Sequence, residues 1–547
     1  MKKFSLLLFV IPVLMSSAQN IDLLYNEFLR VRGINQNVKT QITGEANLPI
    51  KCGFGIVNQV KMNYDKFSVQ QKILLKTVLN RPTTDTSFVS PSKIFRIHFN
   101  KANFPDYVPE DIRNKLSADQ LTIYKKKYLD SLAIAADSAY NYEVGFLNYL
   151  PPPKDSLNGG DDRYDIYLIS NLGGYGETDW EDTLSTISFT SYIIMDNAFG
   201  TGFYTHRIDA AKVTIAHEFH HAIQLGHYGF WPKDIFYHEL TSTSMEEFVY
   251  DSINDYYQYL DTYFRNPQRA FSSNDGYNLA IWNIFLRDRF GPNIIKLTWE
   301  LMPVERALNA IDKAIQQQQT GSDFKTELNK FGQWTYFTGI RDDGKHFKEA
   351  ANYPLISPTE ITNSITVGSE AMSNNFFKMY NNSSGGKDSV ITLITNSDVA
   401  GGITLPVSTL SFIYTLSTSP ISGGKKIAEN FYSKLEPPSN ILTEANVLSG
   451  NIIFAETDYP FPQPFKYSLY NVINFPVAAN GEKTAQLYIY SVDMNLVYSG
   501  LINIVGNQII SWNCLDNNGM KLGTGVYIFV TKTGDTIKKG KFVIHND

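Results

Sequence analysis

Val213-Thr214-Ile215-Ala216-His217-Glu218-Phe219-His220-His221-Ala222-Ile223-Gln224 places two histidines four residues apart, with a glutamate directly after the first. Val213, Ala216, Phe219 and Ile223 recur at helical spacing, so the stretch reads as a helix with a buried apolar face. Positions i and i+4 share a helix face, which lets His217 and His221 reach one metal ion together. Glu218 is then placed to polarise a water held by that metal. The same residues also read as a histidine-rich helix with no metal. The H-E-x-x-H order points instead to a hydrolase with Zn2+ as its cofactor.

Catalytic zinc takes three protein ligands and leaves one position for water. His217 and His221 supply two, and the candidates for the third are Glu239, Glu246, Glu247, His227 and His238. His227 has the spacing of the last histidine in H-E-x-x-H-x-x-G-x-x-H, but position 224 is Gln rather than Gly and the apolar pattern continues through Leu225. Glu239, eighteen residues after His221, stands at the head of a second helical pattern, and a helix returning past the first would aim it at the metal. Glu246 lies on the same face as Glu239, where it would accept from a ligand histidine N–H; it reads equally as a solvated acid beside Glu247. Tyr277, Tyr250, His238 and His227 are unranked candidates for the donor that a tetrahedral oxyanion needs.

Outside the motif, 547 residues exceed what a single core holds. Lys2 and Lys3 precede the apolar run Phe4 to Met15 and the small residues Ser16-Ser17-Ala18, which reads as a signal peptide over 1–18. That run is too short to span a bilayer and no later one is long enough, so no integral membrane segment is expected after cleavage. A net charge of −6 without a Lys/Arg block argues against nucleic acid as a partner. Only Cys52 and Cys514 occur, which excludes a disulfide framework and a cysteine cluster for zinc.

Residues 19–88 precede the motif and read as a propeptide-like region, with a helix over 69–79 and an exposed linker at Thr83 to Ser87. Cys52 lies in this region, within Pro49-Ile50-Lys51-Cys52-Gly53-Phe54. A thiolate is a strong zinc ligand able to take the position water needs, whereas a buried free cysteine is the more common role. Residues 89–350 alternate between strand and helix patterns. Strands are expected at 94–99, 164–169 and 191–196, with a turn at Gly173-Gly174-Tyr175-Gly176. Helices are expected at 117–144, with Ser117 as N-cap, and at 207–225, 240–263, 276–289, 303–317 and 322–335. Helical periodicity then gives way to short alternating strands, read as one β-sandwich domain over 351–455 and an immunoglobulin-like one over 456–547.

The region from about 90 to 340 is similar to a family of secreted bacterial metallopeptidases. The likeness rests on Gly173-Gly174-Tyr175-Gly176, on Ala216 to Gln224, and on Met245-Glu246-Glu247-Phe248-Val249-Tyr250-Asp251. The layout resembles the gluzincins, in which a glutamate from a downstream helix completes the zinc site. It implies an α+β zincin-like catalytic domain over 89–350, with His217, His221 and Glu239 as metal ligands, Glu218 as general base and a protein or peptide as substrate. In zincins the substrate pairs with an antiparallel edge strand, for which Ser191 to Asp196 is the candidate. The last segment resembles the type A sorting domain of type IX secretion, through Leu487 to Val492, Trp512-Asn513, Asp516 to Gly519, Leu522 to Phe529 and Lys539 to Ile544. That implies the type IX machinery as a partner and a secreted or cell-surface location. The expected protein is thus a multidomain zinc metallopeptidase. Its rivals are a catalytically inactive zincin-fold protein of surface binding or adhesion, and a zinc hydrolase of a non-peptide substrate.

Overall fold

The computed structural model describes residues 11–34, 49–101, 108, 110–319, 321–361, 365–367, 369–380, 389–399, 412–419, 430–434, 452–454, 460, 464–467, 472–477, 482–505 and 509–545. The first ten residues of the expected signal peptide and much of 400–459 lie outside them. The chain divides into two compact units, one of Met1–Tyr259 with Asp275–Glu305 and one of Leu260–Asn274 with Arg306–Asp547.

In the first unit the elements run α1 (Ile11–Val31), β1 (Ile50–Cys52), α2 (Phe54–Met62), α3 (Val69–Val78), β2 (Thr86–Val89), β3 (Phe95–Phe99), α4 (Glu110–Arg113), α5 (Ala118–Tyr140), β4 (Tyr164–Ile169), β5 (Gly174–Ser185), β6 (Ser188–Asp196), α6 (Arg207–His227) and α7 (Ile235–Val249). The strands form one mixed sheet in the order β1-β5-β6-β4-β3-β2. β4 pairs in parallel with both β3 and β6, and its Asp165 to Leu168 are buried, as befits an interior strand. α6 packs on β5 and β6 with α5 and α7 beside it. Enclosed this way, it buries every residue from Val213 to Gly226, polar ones included. Phe219 anchors it edge-on against Phe95 of β3, with ring centroids 5.3 Å apart.

Several expectations hold closely. The strand expected at 164–169 has those bounds, and Ser117 caps α5 through a reciprocal capping box with Gln120. Others need correction. Gly174-Tyr175-Gly176 is the start of β5 rather than a turn, because the glycines admit close neighbours that a Cβ would exclude. A Cβ on Gly174 would lie 2.4 Å from the Ile50 carbonyl oxygen, and one on Gly176 2.8 Å from Thr214 Cγ2. Ser191 to Asp196 belongs to an interior strand, since β6 is flanked by β5 and β4, so it is not an edge available to a substrate. The helix expected over 240–263 is two helices, α7 and α8 (Tyr257–Arg265), separated where Asp255 turns to meet Lys51. The last helices of this unit are α9 (Ala280–Phe290) and α10 (Asn293–Leu301), so the pattern read as one helix over 303–317 begins only at Ala307.

The second unit holds α11 (Ala307–Gln318) and α12 (Phe324–Tyr336), then β7 (Thr359–Ile361), β8 (Ile365–Val367), β9 (Ser373–Tyr380), β10 (Ser389–Asn396), β11 (Phe412–Ser419), β12 (Asn430–Lys434) and β13 (Ile452–Phe454). Five of these strands form a sheet ordered β12-β11-β10-β9-β7, against which α12 packs. Beyond it, β14 (Ile473–Pro476), β15 (Thr484–Ser491), β16 (Leu496–Val505), β17 (Ile509–Trp512), β18 (Gly525–Thr533) and β19 (Thr536–Ile544) form an antiparallel sheet ordered β14-β17-β16-β15-β18-β19. β16 pairs with β15 along most of its length and with β17 at its end, so the sheet bends around a core that includes Phe475, Leu487, Trp512 and Phe529. Among the described residues no helix is long and apolar enough to cross a membrane.

Candidate metal centre

α6 presents His217 and His221 on one face, and α7, after a short connection, brings Glu239 against them. His217 Nε2 and His221 Nε2 are 3.2 Å apart, and Glu239 Oε2 lies 3.2 Å from the first and 3.3 Å from the second. Two donors each about 2.05 Å from a zinc ion at tetrahedral angles stand about 3.3 Å from one another, so the triangle has the edge lengths of a zinc face.

The remaining ring nitrogens explain why these atoms face each other. His217 Nδ1 donates to Glu246 Oε1 at 2.8 Å. His221 Nδ1 donates to Gln224 Oε1 at 2.8 Å, and the Gln224 amide is oriented by its Nε2, which donates to the His238 carbonyl oxygen at 3.2 Å. With both protons held at Nδ1, the two Nε2 lone pairs and a carboxylate oxygen converge with nothing to share but a cation or an extra proton. Burial by itself would lower His217, yet the Glu239 and Glu246 carboxylates outweigh it and raise its pKa to about 9 in the absence of a metal. Glu239 is also buried, but His221 and His217 beside it hold it down to about 2. Two imidazoles and one ionised carboxylate are a donor set that fits Zn2+.

Glu218 extends from the same helix turn. Thr178 of β5 places its hydroxyl 2.8 Å from Glu218 Oε2, and the Cys52 thiol lies against the same buried carboxylate. Burial raises the Glu218 pKa, and His217 and His221 partly offset this. The closeness of β5 and α6 at this point depends on Gly176, whose absent Cβ would meet Glu218 Cγ at 3.1 Å.

The structure therefore brings His217, Glu218, His221, Glu239 and Glu246 together. Glu246 lies behind His217 rather than in solvent, with its other oxygen accepting from Lys51 Nζ at 2.9 Å. His227 is left out: it ends α6 and its Nε2 donates to the Pro151 carbonyl oxygen at 2.8 Å. Of the oxyanion candidates, Tyr250 donates to the Ala135 carbonyl oxygen and His238 donates to Gln224, while the Tyr277 ring lies beside His217, with centroids 6.2 Å apart.

Three residues outside the motif join the site. Phe54 stacks on His221 with ring centroids 3.8 Å apart and planes within 6°. Gln224 orients His221; the sequence offered its place in the Ala216 to Gln224 likeness and its position three residues later on the same helix, but no role for it. Cys52 Sγ lies with the His217, His221 and Glu239 donor atoms in a group whose members are all within 4.8 Å of one another. Burial and the Glu218 and Glu239 carboxylates push its thiol well above the ordinary range, so without a cation it is neutral.

No protein-family model matches the chain, and no curated protein matches it. Among solved structures, PorZ, an essential bacterial surface component of the type IX secretion system of Porphyromonas gingivalis, is 12% identical with a TM-score of 0.14, covering 34% of this chain and 30% of PorZ. Dimeric latent PorU from Porphyromonas gingivalis is 11% identical with a TM-score of 0.14, covering 32% of this chain and 20% of PorU. The chain thus spans less than a third of either protein, and a likeness of this extent assigns neither fold nor role.

Proposed function

We propose that the protein is a zinc metallopeptidase in which His217, His221 and Glu239 hold the metal and Glu218 is the general base. The observation that carries this reading is the convergence of two Nε2 lone pairs and the Glu239 carboxylate, with the second nitrogen of each ring held by Glu246 or Gln224. Bound zinc supplies Lewis acidity toward water and a carbonyl oxygen. Glu218, buried beside His217 and His221 with the Cys52 thiol against its carboxylate, accepts the proton of the attacking water and returns it to the leaving amine. Thr178 holds one carboxylate oxygen, so the base does not swing away between the two transfers. Tyr277, whose ring lies 6.2 Å from that of His217, is the residue proposed to donate to the developing oxyanion.

The substrate class is protein or peptide. The 456–547 segment is proposed as the sorting domain that hands the chain to type IX secretion, leaving the enzyme secreted or at the cell surface. This part rests on the sequence resemblance of its strands and turns.

The test is chemical. The purified chain should carry about one zinc, and Glu239→Ala should lower that content sharply. Combined with Cys52→Ser, Glu218→Gln should keep the metal and slow cleavage of a denatured protein mixture by about 10²–10⁴-fold relative to Cys52→Ser alone. Cleavage by the double variant at the rate of Cys52→Ser would overturn the mechanism.

A further inference from the structure

Cys52 enters the site from the N-terminal region, and everything around it fixes its sulfur there. β1 lies on the outer edge of the sheet, parallel to β5, with Ile50↔Gly174 and Cys52↔Gly176 as partners. Ile50 N–H donates to the Gly173 carbonyl oxygen at 3.2 Å and Gly53 N–H to that of Gly176 at 2.9 Å. Cys52 Sγ accepts the Phe54 N–H at 3.3 Å, an arrangement that suits a sulfur carrying negative charge. Its neighbours are locked as firmly. Lys51 Nζ is buried between Glu246 at 2.9 Å and Asp255 at 2.6 Å, and Arg32 bridges Glu177 at 2.9 Å and Asp179 at 2.7 Å.

Two functions of an active site are blocked by this arrangement. A zinc peptidase keeps one coordination position for water, and the sulfur is the only remaining donor in the group. The edge of β5 is where an extended peptide would add as a strand, and β1 already occupies it. Cys52, His217, Glu218, His221 and Glu239 are all buried, so no substrate reaches them while β1 is in place.

We infer that Cys52 is the fourth ligand of the metal at this centre, and that the N-terminal segment of the same chain thereby keeps the enzyme latent. This deepens the zinc-peptidase reading and rests on it. Ligation breaks the Cys52 S–H bond and forms a sulfur–metal bond, the proton leaving to solvent. Activation is the withdrawal of Ile50 to Phe54, which frees the coordination position and the β5 edge together.

The experiment substitutes Co2+ into the intact chain and into Cys52→Ser, recording ultraviolet absorption and cleavage of a denatured protein mixture. The expected result is a thiolate-to-cobalt charge-transfer band in the parent that is absent from Cys52→Ser. Activity should rise on the order of tenfold or more in the variant, because loss of the sulfur–metal bond removes the anchor that holds β1 on β5 and lets Ile50 to Phe54 withdraw, opening the fourth position and the β5 edge together. Adding Glu218→Gln to Cys52→Ser should abolish that gain. One bound Co2+ in the parent without the band would overturn the ligand assignment while leaving the peptidase reading intact. The band with equal activity in parent and variant would overturn latency. No Co2+ bound in either chain would instead overturn the metal centre itself. Should Cys52→Ser fail to fold, the parent band decides the ligand by itself, because the other cysteine, Cys514, is buried in the core of the C-terminal sheet.

Discussion

His221 owes its orientation to a residue that the H-E-x-x-H motif does not specify. Gln224 accepts from His221 Nδ1 at 2.8 Å and from His238 Nδ1 at 2.8 Å, so one amide oxygen sets the tautomer of a candidate ligand and ties down its neighbour. Ser242, 3.2 Å from the same His221 nitrogen, is a longer substitute. Gln224→Ala should therefore weaken zinc binding by about 10–100-fold, measured by competition with a chromophoric chelator. Affinity equal to the parent's would show that Ser242 suffices. At this scale the sequence was legible wherever a residue type has few other uses. The spacing of His217, Glu218 and His221 named them, and Glu239 was reachable from the second helix. Glu246 was left open between two roles, because its partner Lys51 lies 195 residues away and no spacing rule links them.

Elements meet at the site through missing side chains. β5 approaches β1 at Gly174 and α6 at Gly176, and in each place a Cβ would fall inside normal contact distance. The Gly-Gly-Tyr-Gly run looked like a turn because glycine has the same signature in both settings, and only the neighbouring elements distinguish them. Gly176→Ala should push β5 and α6 apart by tenths of an ångström and displace Glu218, whose Cγ the new methyl meets. In the Cys52→Ser background, kcat should fall by about tenfold to a hundredfold, because small misplacements of a base are costly. Zinc content should stay unchanged, since His221 is a turn further along and Glu239 belongs to α7. Loss of zinc together with kcat would mean that the whole of α6 had moved. The β6 reading failed for a related reason: its alternation fits any strand with a buried face, and whether a strand is an edge depends on what packs beside it.

Across the whole molecule, buried carboxylates tie stability to pH. Asp196 at the end of β6 is buried, which raises its pKa to about 6, even though the Ala198 and Phe199 N–H groups donate to it and oppose the shift. A carboxyl whose folded pKa exceeds its unfolded value destabilises the fold when ionised. Its penalty is fully present above about 6 and disappears as pH falls toward the unfolded value near 4. Asp196→Asn keeps an oxygen to accept both N–H groups and removes that penalty, so it should stabilise the chain at pH 7.5 by up to about 3 kcal/mol. The gap should close by pH 4.5, as read from urea unfolding of both chains. A gap that widens in acid would reverse the assigned sign.

The sequence by itself named the candidate residues of the site and much of the scaffold around them. A helix carrying H-E-x-x-H, strands such as 164–169 and a capped α5 follow from local spacing and side-chain propensity, which act over a few residues. The tertiary structure decided which residues complete the site and which segment covers it. Cys52, Lys51 and Phe54 lie more than 150 residues before the motif, and nothing in their local pattern distinguishes a buried thiol from a metal ligand. What brings Cys52 to the site is the pairing of β1 with β5, which sets it opposite Gly176 and among the donor atoms of His217, His221 and Glu239. Long-range strand pairing is set by the collective packing of the whole sheet, so its outcome is not written in any single stretch of the chain.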